Sequence, residues 1–495
     1  MSAGEASGPG DYHGVSMSQT ACIKGLKRLL GAERCLAEPG RLLSYECDAL
    51  THFKSTPSAV VLPESTNEVQ QVVRICAQHQ VPFTPRGAGT GLSGGAVPAE
   101  GGVLIECSRM RRVLEVDVEN RIARVEPGVV NAHLSQQVAE HGLAYAPDPS
   151  SQTVCTLGGN VAENSGGPHC LKHGATANHI LALRLVMPDG EVVELGTPVA
   201  GAAGLDLRGV VLGSEGTLGI VTEITCRLVP IPECVETLLA AFDSMGSACT
   251  AVSRIVAAGI IPAALEALDD RTIAAVEASV YRAGYPDDAA AVILVELDGH
   301  PSQVAAEREQ IHRIFTDMGA LSIETARDPE HAQQLWKGRK GAFGAMGRLA
   351  PDLYVQDAVV PRSKLPQVLP EIGRICDERG LKLANVFHAG EGNLHPNISY
   401  DGRDAAEVEK VVEAGQMIIE LCLSVGGVLS GEHGIGLEKQ GFMKLMFSDD
   451  DLESMARVRT AFNPTGLLNP GKILPTPRAC VEVKPVHRLP GVSPS

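Results

Sequence analysis

The chain has 495 residues, of which 44% are hydrophobic, 3% aromatic and 20% charged, with a formal net charge of −17 at pH 7. That length exceeds one simple core, so two or three domains are expected. Acidity and scarce aromatic rings exclude a nucleic-acid binder, which needs basic patches and stacking platforms. No run approaches the ~20 apolar residues of a membrane span. The thirteen cysteines are scattered without a C-x-x-C pair, which reads as reduced cytoplasmic thiols and leaves no cluster for an iron–sulfur centre.

In chain order, residues 1–18 are Gly/Ser-rich with no hydrophobic centre and are expected to form a disordered leader, not a signal peptide. An amphipathic helix is predicted over Gln19–Leu30 and a strand over Ser58–Leu62. A helix then opens on a capping box of Ser65 and Glu68 and carries Val69, Val72, Val73 and Cys76 on one face. The strand Val81–Thr84 completes a β-α-β unit and delivers Pro85–Ala96, a segment with five glycines in twelve residues. Such a loop turns sharply, and its N–H groups can close around an anion such as a pyrophosphate. Gly89, Gly91 and Gly94 satisfy G-x-G-x-x-G, but Pro98, Gly101 and Gly102 forbid a following helix, and Val103–Ile105 reads as another strand. The frame is therefore not a Rossmann one. An isolated match of this kind is more often a solvated turn, a reading that loses ground here because other glycine motifs recur downstream.

Strands at Val113–Val116 and Ile122–Val125, a helix over Val130–His141 and a rigid turn at Pro147–Ser151 follow. A second glycine-rich segment, Thr156–Gly167, precedes strands at Ile180–Met187 and Glu191–Leu195. A third, Gly213–Val221, follows them. Three such segments suggest one extended ligand lying across one domain. From Val235 to Glu330 strands and Ala-rich helices alternate without glycine loops, reading as a compact α+β domain.

The final segment holds the candidate chemistry. Val386–Ile398 reads as a hairpin; with Glu391-Gly392 as a two-residue turn, His388 faces His395, close enough for one metal. Asn397 points to the same face. Two readings are open for the pair: half of a transition-metal site, or hydrogen-bonded core histidines. In Ser430–Gly436, Glu432 can be a third ligand while His433, diverging from it, serves as a general base. Arg339, within Trp336–Lys340, can fork onto a substrate carboxylate or belong to a solvated basic face.

Taken together, Pro85–Gly95, Cys155–Gly167, Gly213–Thr222, Phe387–Asn397, Ser430–Gly436 and Leu467–Lys472 resemble the FAD-linked oxidases of the vanillyl-alcohol oxidase/PCMH superfamily, over about Arg41 to Pro475. Within it the chain is most similar to the glycolate-oxidase-like group of the D-2-hydroxy-acid dehydrogenase branch. The resemblance implies an α+β fold. A PCMH-type FAD-binding domain of two α+β subdomains would span 19–232. An α/β, ferredoxin-like substrate cap would span 233–425, a segment returning to the flavin 426–475, and a flexible tail 476–495.

It implies FAD contacts from Pro85, Arg86, Gly87, Ala88, Gly89, Thr90, Gly91, Gly94 and Gly95, which wrap the pyrophosphate. Further contacts would come from Pro147, Ser151, Gly158, Gly159, Asn164, Gly166, Glu215, Gly216, Ile220 and Asn469. It also implies a divalent metal, zinc in related enzymes, on His388, His395 and Glu432. His433 would be the base, with Arg339 and Asn397 contacting substrate. Some relatives tether flavin through a histidine in the first loop; none stands here, so FAD is expected to be non-covalent, with Cys155 a packed thiol. Relatives acting on dicarboxylates carry a lysine near Tyr354–Asp357; its absence points to glycolate or D-lactate, with D-2-hydroxyglutarate the alternative. Expected partners are a second FAD-domain-like subunit and an iron–sulfur subunit, or another electron acceptor. The expected location is cytoplasmic, with any membrane contact made through partners. A flavin-binding scaffold and a metal-dependent hydrolase are the competing classes: the first has no need of the His/Glu set, the second none for the glycine segments.

Overall fold

A computed structural model describes residues 17–199 and 204–475. Most of the expected leader and all of the expected tail lie outside the described residues. Met17 and Ser18, assigned to the leader, instead open the helix Met17–Leu30.

The N-terminal part contains two sheets. In the first, Ala59–Val61, Val103–Glu106 and Phe83–Arg86 run parallel, with Val103–Glu106 central, and Cys35–Leu36 adds an antiparallel edge. The helix Thr66–Gln78 is the crossover of the β-α-β unit. Its apolar residues recur at helical spacing, so Val69, Val72, Val73 and Cys76 are all fully buried. Each such valine contributes about 1.5–3 kcal/mol by leaving water. Only half of the expected capping box forms: Ser65 accepts from the Glu68 N–H, but the Glu68 carboxylate accepts from the Glu64 N–H and from Arg34. The guanidinium outcompetes the cap because a charge-assisted pair is the stronger bond.

The second sheet has five antiparallel strands in the order Val113–Asp117, Ile122–Val125, Ile220–Arg227, Ile180–Val186, Val192–Gly196. The second glycine segment is not a plain loop. Thr156 caps a helix over Leu157–Glu163 by accepting from the Gly159 N–H. The helix ends at Asn164, a left-handed residue that short polar side chains tolerate.

Between Pro230 and Cys234 the chain leaves these sheets and builds one antiparallel sheet of seven strands. Its order is Ser322–Thr325, Cys234–Phe242, Ala291–Gly299, Ala264–Asp269, Lys382–Phe387, Pro396–Tyr400, Asp352–Val355. The strand Ala264–Asp269 had no counterpart among the predicted elements. Five of its six residues, Ala-Leu-Glu-Ala-Leu, are helix formers, yet all six are buried inside the sheet.

After the helix Ala405–Ser424, the chain returns to the N-terminal part. Phe83 donates to the Leu467 carbonyl at 2.9 Å, and the Asn469 N–H donates to the Phe83 carbonyl at 2.7 Å. The buried Lys472 donates to the Val97 carbonyl at 2.7 Å. A second tie joins the parts: His169 lies between Asp148 and Glu296, 2.8 Å from each, with Trp336 stacked on its ring. Burial opposes a charge on His169, but the two carboxylates together raise its pKa to about 10.

Candidate active site

A single cleft of about 440 Å³ runs from the first glycine loop to the seven-stranded sheet. Of the expected FAD contacts, Pro85, Arg86, Gly87, Ala88, Gly89, Thr90, Gly91, Gly95, Ser151, Gly158, Gly159, Gly166, Glu215, Gly216 and Ile220 stand on its wall. Four do not. Gly94 packs on Leu437, the Pro147 carbonyl accepts from Asn131, and the Asn164 side chain accepts from the Ala177 N–H. Asn469 donates to the carbonyls of Gly95 and Glu215 at 3.0 and 2.8 Å. These four brace the wall from behind.

Two glycines explain why the segments meet. Gly216 has φ +65°, and a Cβ there would stand 2.5 Å from Pro85 Cγ. Gly436 has φ +49°, and its Cβ would lie 2.1 Å from the Ser93 carbonyl oxygen. Both demand left-handed backbone and contact closer than any side chain allows. The Glu215 carboxylate fastens the same junction, accepting from the N–H groups of Ile435 and Gly436 at 2.7 and 2.8 Å. A long wall of backbone amides without bulky side chains fits an extended dinucleotide. On that wall the Cys155 thiol is buried, and burial raises its pKa, so it is a packed thiol rather than a reactive thiolate.

At the far end stand Arg339, Phe343, Leu353, Val355, His395, Glu432 and His433. The hairpin register differs from the two-residue turn. His388 pairs with Asn393, and Asn385 pairs with Pro396, so the loop is two residues longer. A shift of two keeps every side chain on its face. His388 and His395 therefore still meet, now as diagonal neighbours, with ring centroids 5.2 Å apart.

Each imidazole is oriented from behind. His388 Nδ1 is 2.7 Å from Glu266 Oε1, and His395 Nδ1 is 3.3 Å from the Gln356 carbonyl oxygen. The two Nε2 atoms then converge on Glu432 Oε1 at 3.4 and 3.2 Å. Donors bound tetrahedrally to zinc at ~2.1 Å stand about 3.4 Å apart, so this triad fits such an ion, leaving a position open. A second grouping, Asp357, His395 and His433, shares His395. It fits less well, because Asp357 Oδ2 already accepts from the Ser430 hydroxyl, the N–H groups of Gly431, Glu432 and His433, and Lys439 Nζ. Burial would raise the Asp357 carboxyl, but Lys439, His433 and His395 hold it well below the usual carboxylate range.

The His433 ring lies flat against His395, centroids 5.1 Å apart. Burial, helped by His395 and Lys439 and opposed by Asp357, lowers its pKa to about 4. The imidazole is neutral at pH 7, and Nδ1 has no protein partner. Arg339 is not on a solvated basic face: Lys337 and Lys340 of the same helix are exposed, whereas Arg339 is buried, its Nε donating to Glu266 Oε2 at 2.6 Å. Asn397 is off the cleft wall; its amide donates to the His395 carbonyl at 2.6 Å, and its Oδ1 has no protein partner. Glu266, Asp357 and Lys439 had no place among the expected site residues. No local motif marks them, since each acts on residues far away in sequence.

A two-sheet base with a glycine-built cleft under an antiparallel cap is the architecture of this chain. It is shared with 4-ethylphenol oxidase from Gulosibacter chungangensis (TM-score 0.78, 21% identity, 94% of this chain and 99% of that one). It is shared also with p-cresol methylhydroxylase (TM-score 0.77, 18% identity, 93% and 98%). Residues 57–196 match the FAD binding domain, and residues 231–473 match the C-terminal domain of FAD linked oxidases. The chain belongs to the FAD-linked oxidases and is an FAD-linked oxidoreductase. Its relatives include glycolate oxidase subunit GlcD of Escherichia coli K12, 44% identical over 471 residues, 95% of this chain and 94% of that one. GlcD of Bacillus subtilis is 40% identical over 435 residues, 88% of this chain and 92% of that one. A D-lactate dehydrogenase of Anaerostipes hadrus is 32% identical over 428 residues, 85% and 90%.

Proposed function

We propose that this chain oxidises a small 2-hydroxy acid, glycolate or D-lactate, to the 2-oxo acid. The observation that carries the reading is the convergence of His388, His395 and Glu432 beside a neutral His433 and a buried Arg339, at the end of the FAD cleft. FAD, held non-covalently along the glycine wall, would supply a hydride acceptor, and a divalent ion, zinc in our reading, held by His388, His395 and Glu432, would supply Lewis acidity toward the substrate hydroxyl. Arg339 takes the substrate carboxylate and fixes the orientation of the carbon beside it. The hydroxyl proton passes to the His433 imidazole, which is uncharged at working pH and so able to accept it.

Phe343, Leu353 and Val355 supply an apolar wall at this end, and among the described residues lining it no cation besides Arg339 stands ready for a second carboxylate. That composition favours a small monocarboxylate over 2-hydroxyglutarate. The relatives named as subunits support a complex, and we propose a second FAD-domain-like subunit and an iron–sulfur subunit as partners. The proposed location is cytoplasmic, with any membrane contact through those partners; among the described residues no helix is long and apolar enough to cross a membrane.

The test is anaerobic bleaching of the flavin by glycolate, D-lactate and D-2-hydroxyglutarate, with and without a chelator. Bleaching by the first two, suppressed by chelator, is expected. Fastest bleaching by 2-hydroxyglutarate would overturn the substrate assignment, and indifference to chelator the metal.

A further inference from the structure

The strand Ala264–Asp269 pairs antiparallel with Lys382–Phe387, Ala267 opposite Phe387, and that register sets Glu266 across from His388. The helix Pro329–Met346 brings Arg339 to the same carboxylate. Glu266 is fully buried, and each oxygen has its own taker: Oε1 lies 2.7 Å from His388 Nδ1, and Oε2 lies 2.6 Å from Arg339 Nε and 2.5 Å from its Nη2.

We propose that Glu266 is a positioning residue serving both halves of the site at once, fixing His388 with its proton on Nδ1 and its lone pair on Nε2 while holding Arg339 in place. The proposal rests on the reading that His388, His395 and Glu432 take up a divalent ion. An imidazole can give Nε2 to a cation only if its proton stays on Nδ1, and a carboxylate enforces that because it accepts and never donates. Arginine is the obligate donor of the pair, since it stays charged.

These roles decide what an isosteric amide would do. In Glu266→Gln the amide oxygen must turn to Arg339, leaving the NH₂ group facing His388. Two donors cannot face each other, so the imidazole proton moves to Nε2 and blocks the cation. Arg339 keeps its acceptor.

The experiment uses full-length, FAD-loaded protein stripped of metal and titrated with Zn²⁺ against a chelating dye. Glu266→Gln is expected to bind zinc about 10–100-fold more weakly than wild type at unchanged flavin content. At saturating zinc, its KM for D-lactate is expected to rise, because Arg339 keeps an acceptor but loses its buried counter-charge. Glu266→Asp, which restores a pure acceptor, is expected to recover most of the zinc affinity. Zinc binding by Glu266→Gln within about twofold of wild type would overturn the proposal. So would an Asp variant as impaired as the Gln one, since that marks a packing role. A wild-type protein that takes up no divalent ion sinks the metal reading itself, and shows it before any variant is made.

Discussion

The two ends of the cleft are built from different materials. At the cofactor end, main chain does the work: glycine segments press together, and side chains such as Asn469 and Lys472 brace them through carbonyl oxygens. At the other end, buried charges do it: Glu266 serves His388 and Arg339, and Asp357 serves Ser430, three backbone N–H groups and Lys439. A backbone wall tolerates most side-chain changes but no added Cβ. A buried ionic network tolerates changes of shape but no unpaired charge. Variants at the two ends should therefore fail differently, one by losing FAD and the other by keeping it and losing chemistry.

The largest effect is expected at His433. His433→Asn should keep its yellow cofactor while substrate-driven flavin reduction falls by about 10²–10⁴-fold, the usual contribution of a positioned base. Stopped-flow absorbance checks this, and a normal rate would remove His433 from the mechanism. Asp357→Asn comes next. It leaves Lys439, which is 0% exposed, with only the Glu438 carboxylate 4.0 Å away as counter-charge, at a cost of roughly 3 kcal/mol in urea unfolding. Gly436→Ala places a Cβ against the Ser93 carbonyl in left-handed backbone. It should cost about 1–3 kcal/mol and release FAD, which dialysis followed by absorbance would reveal. If that variant keeps its flavin while losing activity, the contrast between the two ends is wrong.

The smallest effect belongs to His169, which is part-exposed, and it depends on pH. Its folded pKa of about 10 lies above the ordinary ~6.5. The tie to Asp148 and Glu296 is thus fully present below about pH 6.5 and is lost as pH rises through about 10. His169→Gln should lower stability by on the order of 1–2 kcal/mol at pH 6, and by less at pH 10. An equal loss at both values would show that the imidazolium charge plays no part.

The same contrast governs what the sequence disclosed. Gly87, Gly91 and Gly216 announce themselves because a glycine-rich turn is written in neighbouring residues, and His388 with His395 is a short-range pattern. Even the mistaken turn at Glu391-Gly392 did little harm, since a two-residue slip preserves the face. Glu266 stayed hidden for two reasons. Its strand is composed largely of helix formers, and its partner His388 lies 122 residues away. Asp357 reaches Ser430 across 73 residues, a pairing no local spacing encodes. The helix Leu157–Glu163 was missed because two of its seven residues are glycines, poor helix formers that the Thr156 cap and tertiary contacts carry nonetheless.

The bridge between Phe83 and Leu468 bears on the order in which the molecule can be finished. A ribosome emits the first glycine loop long before the stretch that clamps it, so the nascent N-terminal part must wait with its flavin crevice only partly walled. Trimming the protein just ahead of Leu467 would remove Asn469 and Lys472 together, leaving the Gly95, Glu215 and Val97 carbonyls without their donors. The last wall of the crevice is thus supplied by a stretch 374 and 375 residues downstream of the Gly95 and Val97 carbonyls it clamps.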